Sequence, residues 1–182
     1  CRFLFGHLHA RVFPAAPTEG DAKLSGQLAR LSWLRPSHME ISQELFETPQ
    51  VQRSIKALRL LHLQRSPVDM LDLWARTFSA VTGAACVRKR WLLNSASSSV
   101  ATVASVRRHF SAYGADDAFG ADESLPLFIL VVISANPLML HSSLAYAERF
   151  TPRERMLTEQ GYALTMARAA ASFAECLRSD DL

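Results

Sequence analysis

Glycine, proline and cysteine are scarce in this chain: 7, 8 and 3 among 182 residues. So few turn formers disfavour an all-β fold, whose many short strands need frequent Gly- and Pro-rich turns. The cysteines, Cys1, Cys86 and Cys176, are odd in number and form no CxxC pair. That pattern suits free thiols in a reducing compartment rather than a disulfide framework. Long apolar runs are also missing. The longest, "LPLFILVVI" from Leu125 to Ile133, has nine residues, fewer than half of the about 20 that a membrane-spanning helix needs. It reads as a core helix, and a membrane anchor is excluded. HExxH, a nucleophile elbow and a Gly-rich phosphate loop are absent too, so covalent catalysis is not expected.

Charge of one sign is equally thin. Lys and Arg number 20 against 17 Asp and Glu, a net +3, and the excess is split among short runs such as Arg88–Arg90 and Arg107–Arg108. A nucleic-acid binder would carry a dense basic stripe with interleaved aromatics. Six histidines include His7 and His9, whose i,i+2 spacing shares a face only on a strand, and no acidic or Cys partner is close. They read as surface or half-buried side chains. No metal site and no cofactor is expected. What is present describes an ordinary globular protein, 49% hydrophobic and 20% charged, long enough for one domain over 1–182 with a real core. Because it opens on Cys1 rather than Met, the chain is expected to be a segment of a longer protein.

Periodicity points to helices almost everywhere. Phe3, Leu4, Leu8 and Val12 are three to four apart, and Pro14 and Pro17 close that segment. "PAAPTEGD" reads as a loop, and "AKLSGQLARLSWL" as the next helix, broken by Pro36. Residues 50–63 predict one helix. Ser66 stands where an N-cap would, with Pro67 and Asp69 in the first turn, ahead of a buried face of Met70, Leu73, Trp74, Thr77 and Phe78. Residues 94–120 turn rich in Ser, Ala and Gly and read as an insertion, with one short helix between Val100 and Phe110. Near the C-terminus Tyr162, Met166, Ala169, Ala170, Phe173 and Leu177 predict the apolar face of a helix. No strand pattern competes, so the fold class expected is all-α, a layered helical bundle.

Several short fragments then fit one order. Asp122 precedes Leu125-Pro126; the apolar helix ends at Asn136-Pro137; the following helix ends at Arg149-Phe150; Gly161-Tyr162 with Thr165 opens the last. This set resembles the vacuolar-protein-sorting-nine (Vps-nine) domain, the module of guanine-nucleotide exchange factors for early-endosomal Rab GTPases. Weaker matches at Val12–Pro14, Asp21, Leu31–Ile41 and Ser66–Leu71 carry it toward the N-terminus. Residues 1–65 would supply N-terminal helices and 66–182 the most family-specific part. Two departures stand out: the segment about 92–119 looks inserted, and the second acid is Glu123 rather than Asp. Asp116 and Asp117 form a rival acidic pair, but only Asp122 lies four residues before the Pro.

The resemblance implies exchange of GDP for GTP on a small GTPase of the Rab-five class, in endocytic trafficking, in the cytoplasm and on endosomal membranes. It implies that Asp122 offers a carboxylate to the phosphate-loop Lys that nucleotide release strands, a charge-assisted contact. It assigns Tyr162 a contact with the switch region or phosphate loop, Thr165 a place one turn on, and Pro126 the shaping of the groove. Taken singly, each residue has a plainer reading. Asp122 suits a helix N-terminus, Tyr162 lies on an apolar stripe, and Thr165 is uninformative. The alternative from another class is an inactive helical adaptor that binds a small GTPase or another trafficking partner.

Overall fold

The nine-residue apolar run has no polar face, so as a helix it must be surrounded. In the computed structural model, which describes residues 2–96 and 121–177, it is. It lies in α6 (Ala121–Ala135), with every residue from Leu127 to Ile133 at most 3% exposed. Three helices enclose it: α4 (Pro49–Leu58), α5 (Pro67–Ala96) and α9 (Glu159–Cys176). Each Leu, Ile, Val or Phe so buried is worth about 1.5–3 kcal/mol relative to exposure. The described residues contain helices and no strand, so the fold is the expected all-α bundle.

The Asn-Pro pair ends α6 by two mechanisms. Asn136 takes a left-handed conformation (φ 40°), which Asn tolerates better than most residues, and its N–H still reaches the Val132 carbonyl at 3.0 Å. Its side-chain oxygen accepts from the Ser25 hydroxyl at 3.1 Å, tying the turn to α2 (Glu19–Arg30). Pro137 cannot continue the helix. The chain restarts as α7 (Leu140–Phe150).

Helix α5 begins as its sequence requires. The Ser66 hydroxyl accepts from the Val68 N–H at 3.3 Å, and Met70, Leu73, Trp74, Thr77 and Phe78 are all buried. It then continues to Ala96, so the first residues of the segment read as an insertion are helical. The rest of that segment, including the short helix expected within Val100–Phe110, lies outside the described residues.

Other boundaries moved. Helix α2 starts at Glu19, inside the stretch read as a loop, because Thr18 and Asp21 form a capping box. The Thr18 hydroxyl accepts from the Asp21 N–H at 3.3 Å, and the Asp21 carboxylate accepts from the Thr18 N–H at 2.9 Å. The helix stops at Arg30, leaving Trp33 in solvent. The single helix expected over 50–63 is α4 followed by a 3-10 turn at Leu61–Leu63. That tightening sends Leu61 into the core while Leu60 and Leu63 stay exposed. Short helices complete the set: α1 (Arg2–Val12), a 3-10 turn at Pro36–Met39, α3 (Gln43–Phe46) and α8 (Arg153–Met156). Helix α1 docks through aromatic contacts, Phe5 on Phe150 (5.6 Å) and His9 on Phe13 (4.7 Å) and Tyr146 (5.7 Å).

Helix α9 is rotated from its expected setting. Met166, Ala170 and Leu177 are buried, but Tyr162, Ala169 and Phe173 face solvent. Gly161, Ala163, Ala167, Ala171 and Ala174 take the inside. Small residues let α9 approach α5 and α6 closely, an outcome that weighting by side-chain size misses.

Candidate functional site

Two helices carry the four residues singled out. Asp122 is the second residue of α6, and Pro126 stands one turn later, at the sixth position. Asp122 is therefore inside α6 rather than ahead of the helix as a cap. Pro126, correspondingly, is inside α6 and not in its first turn. It has no N–H to give the Asp122 carbonyl, so one hydrogen bond of the helix is missing there. Pro126 is half-buried; the Asp122 side chain lies outside the described residues.

The first turn of α9 is held from three directions. Gly161 presses on α8: a Cβ there would lie 2.1 Å from the Met156 carbonyl oxygen, so no larger residue fits this approach. The Gln160 amide donates to the Asp72 carboxylate of α5 at 2.5 Å. The Tyr162 ring meets Phe78 edge-on, centroids 5.4 Å apart and planes at 80°. Tyr162 is nevertheless 44% exposed, so its expected place in the core is corrected. It is a surface side chain leaning on a core one. Among the described residues its hydroxyl has no hydrogen-bond partner.

Thr165 is exposed, and its hydroxyl donates to the Gly161 carbonyl at 3.0 Å. Three positions after Tyr162, it shares the outer side of α9. It also lines a cleft of about 360 Å³ with Glu148, Met156, Arg168 and Ala169, where Arg168 pairs with Glu148 at 3.4 Å. A larger open cleft of about 640 Å³ between α4 and α5 contains none of the four residues.

An aromatic ladder links this surface to the core. Trp74 packs on Phe128 (6.1 Å), Phe128 on Phe78 (5.4 Å), and Phe78 on Tyr162. Through Phe128 it joins α9 to the middle of α6, six residues or about 9 Å along the helix from Asp122. Phe78 was legible only as core. Nothing in the sequence showed that it would also support Tyr162.

Chemically, the arrangement offers an acid at position 122 of α6, a phenol with no hydrogen-bond partner among the described residues, and an aliphatic–hydroxyl edge on a helical frame. Among the described residues no group of His, Cys, Asp and Glu could hold a metal ion. No described helix is long and apolar enough to cross a membrane.

Comparison with known proteins identifies the family. The family description "Vacuolar sorting protein 9 (VPS9) domain" matches residues 51–179. The chain is 27% identical over 175 residues to vacuolar protein sorting-associated protein 9A of Oryza sativa subsp. japonica, covering 94% of this chain and 32% of that protein. It is also 27% identical over 175 residues to the protein of that name from Arabidopsis thaliana, covering 94% and 29%. The chain thus spans about a third of the length of the curated relatives it matches. It belongs to the VPS9 domain family, a family of guanine-nucleotide exchange factors.

Proposed function

We propose that this chain is an exchange module that promotes GDP release from small GTPases of the Rab-five class in endocytic trafficking. The observation that carries the reading is Tyr162, a phenol 44% exposed on a buried aromatic ladder, with its hydroxyl unused by the described residues. A side chain supported in that way is suited to a partner.

In this reading the catalytic residues are Asp122 and Tyr162, and Pro126 and Thr165 shape the contact. A GTPase without nucleotide leaves its phosphate-loop Lys and several N–H groups unpaired, and an unpaired buried donor costs about 1–3 kcal/mol, more when charged. The Asp122 carboxylate replaces phosphate at the Lys, lowering the free energy of the nucleotide-free state. It also repels phosphate and disturbs Mg²⁺, which favours release. The Tyr162 hydroxyl bonds to the switch region or phosphate loop. No covalent bond is made, and no cofactor of the module's own is needed. The module works in the cytoplasm and reaches endosomal membranes through its partner.

The test is release of a fluorescent GDP analogue from a panel of Rab GTPases, with wild type and Asp122→Ala in parallel. Acceleration of the early-endosomal group, lost in the variant, is expected. Binding of a GTPase without acceleration by the folded wild type would instead favour the inactive adaptor.

A further inference from the structure

The first turn of α9 is fixed in space by contacts that do not involve the Tyr162 ring. Gly161 is pressed against the Met156 carbonyl, and Gln160 is bonded to Asp72. These set the backbone but leave open which staggered rotamer the exposed ring adopts. One aromatic neighbour limits that choice. Phe78 is 8% exposed and meets the Tyr162 ring edge-on at 5.4 Å. Phe78 cannot itself swing away, because Phe128 packs on it at 5.4 Å and 78° and is fully buried against Trp74.

We propose that Phe78 is a positioning residue for exchange: it holds the Tyr162 ring in the one orientation that presents the hydroxyl to the GTPase. The proposal rests on the exchange reading above and adds a residue to it. Phe78 acts through Tyr162 and does not touch the partner. An edge-on aromatic pair contributes enough to be read as about a two- to tenfold change in rate. The Gln160–Asp72 bond keeps α9 in place when Phe78 is replaced, so a change there alters ring orientation before it alters helix position.

Two measurements test this on the full chain. The first is ¹⁹F NMR of protein labelled with fluorotyrosine, with the Tyr162 resonance assigned by its loss in Tyr162→Phe. In Phe78→Leu that resonance should move toward the value of a solvent-exposed tyrosine; an unmoved line overturns the proposal. The second is a double-mutant cycle on GDP release with Phe78→Leu and Tyr162→Ala. Alone, Phe78→Leu should slow exchange about two- to tenfold, and in the Tyr162→Ala background it should have no further effect. Equal losses in both backgrounds would make Phe78 an ordinary core residue and overturn its positioning role. Phe78→Met, whose flexible side chain adapts to irregular gaps, is carried through both measurements in case the Leu variant does not fold. A folded wild type that accelerates no GTPase overturns the exchange reading and the positioning role with it, while the resonance still reports whether Phe78 holds the ring.

Discussion

The Asp21 carboxylate of α2 accepts the main-chain N–H of Ser142, at the start of α7, at 2.8 Å. It also accepts from the Ser142 hydroxyl and from Thr18, and it is only 3% exposed. One acid thus caps its own helix and staples it to a second. Burial by itself would raise its pKa, but the hydrogen bonds from Ser142 and Thr18 outweigh burial and hold the carboxyl below its ordinary value. The sign of the linkage follows. The stabilisation is fully present above the unfolded value of 3.8 and is lost as pH falls through the lower folded value. Urea unfolding of Asp21→Asn should show a loss of about 1–3 kcal/mol at neutral pH and a flatter decline of stability in acid. A wild-type acid limb in Asp21→Asn would remove Asp21 from the pH response.

His9 predicts a second pH effect, at a higher pH. Burial, and then the nearby positive charge of Arg65, lower its pKa from 6.5. Its Nε2 is buried without a partner among the described residues, and its ring lies on Phe13 and against Tyr146. A depressed histidine pKa means that the unfolded chain takes up the proton more readily than the folded one. Its stability contribution is therefore complete above 6.5 and falls as pH drops below that. Helix α1, which makes its described aromatic contacts through this cluster, should become more sensitive to limited proteolysis at acidic pH. In His9→Phe that sensitivity should be pH-independent.

Gly161→Ala should be the most disruptive alanine substitution among the described glycines. With 2.1 Å between the new Cβ and the Met156 carbonyl oxygen, α8 and α9 must separate. Overpacking of this kind costs about 1–3 kcal/mol. Because the next residue is Tyr162, exchange should fall by more than the loss of folded protein explains. Thermal unfolding and GDP release on the same preparation separate the two; a stable, fully active variant would show that this approach is not needed.

Much of this arrangement was legible in the sequence because it rests on local chemistry. Ser66-Pro67 predicted the start of α5, the apolar run predicted α6, and Asn136-Pro137 marked its end. Misplaced elements depend on contacts between distant segments. "TEGD" contains a capping box, yet its neighbouring Pro and Gly made it read as loop, and the bond that buries Asp21 comes from Ser142. The face of α9 was misread because alanines, weak in any hydrophobic pattern, are what a close helix approach requires. Tyr162 and Phe173, its two aromatic side chains, were left outside. The order of motifs pointed to Asp122 and Tyr162 by resemblance; that Tyr162 leans on Phe78 became visible only once α5 and α9 were packed together.

Asp122→Ala separates fold from function at α6. Even at a helix N-terminus the dipole gives a surface acid at most about 1 kcal/mol. The apolar body of α6, from Leu127 to Ile133, is buried whatever stands at 122. The variant should keep its helical circular dichroism and lose at most about 1 kcal/mol in urea, while GDP release collapses. Wild-type exchange by a folded Asp122→Ala would take the carboxylate out of the mechanism.

Tyr162→Phe isolates a single hydroxyl. The ring that meets Phe78 at 5.4 Å is retained, so the packing of α9 on α5 should not change, and the thermal midpoint should match wild type. Since the hydroxyl has no partner among the described residues, its deletion leaves no buried group unsatisfied there. Any loss of exchange must then come from a bond made to the GTPase. A net hydrogen bond is worth about 0.5–1.5 kcal/mol, which corresponds to a fall of about two- to twelvefold in kcat/KM. A larger fall would indicate a charged acceptor on the partner. An unchanged rate would assign the Tyr162 ring to packing alone and leave Asp122 to account for exchange.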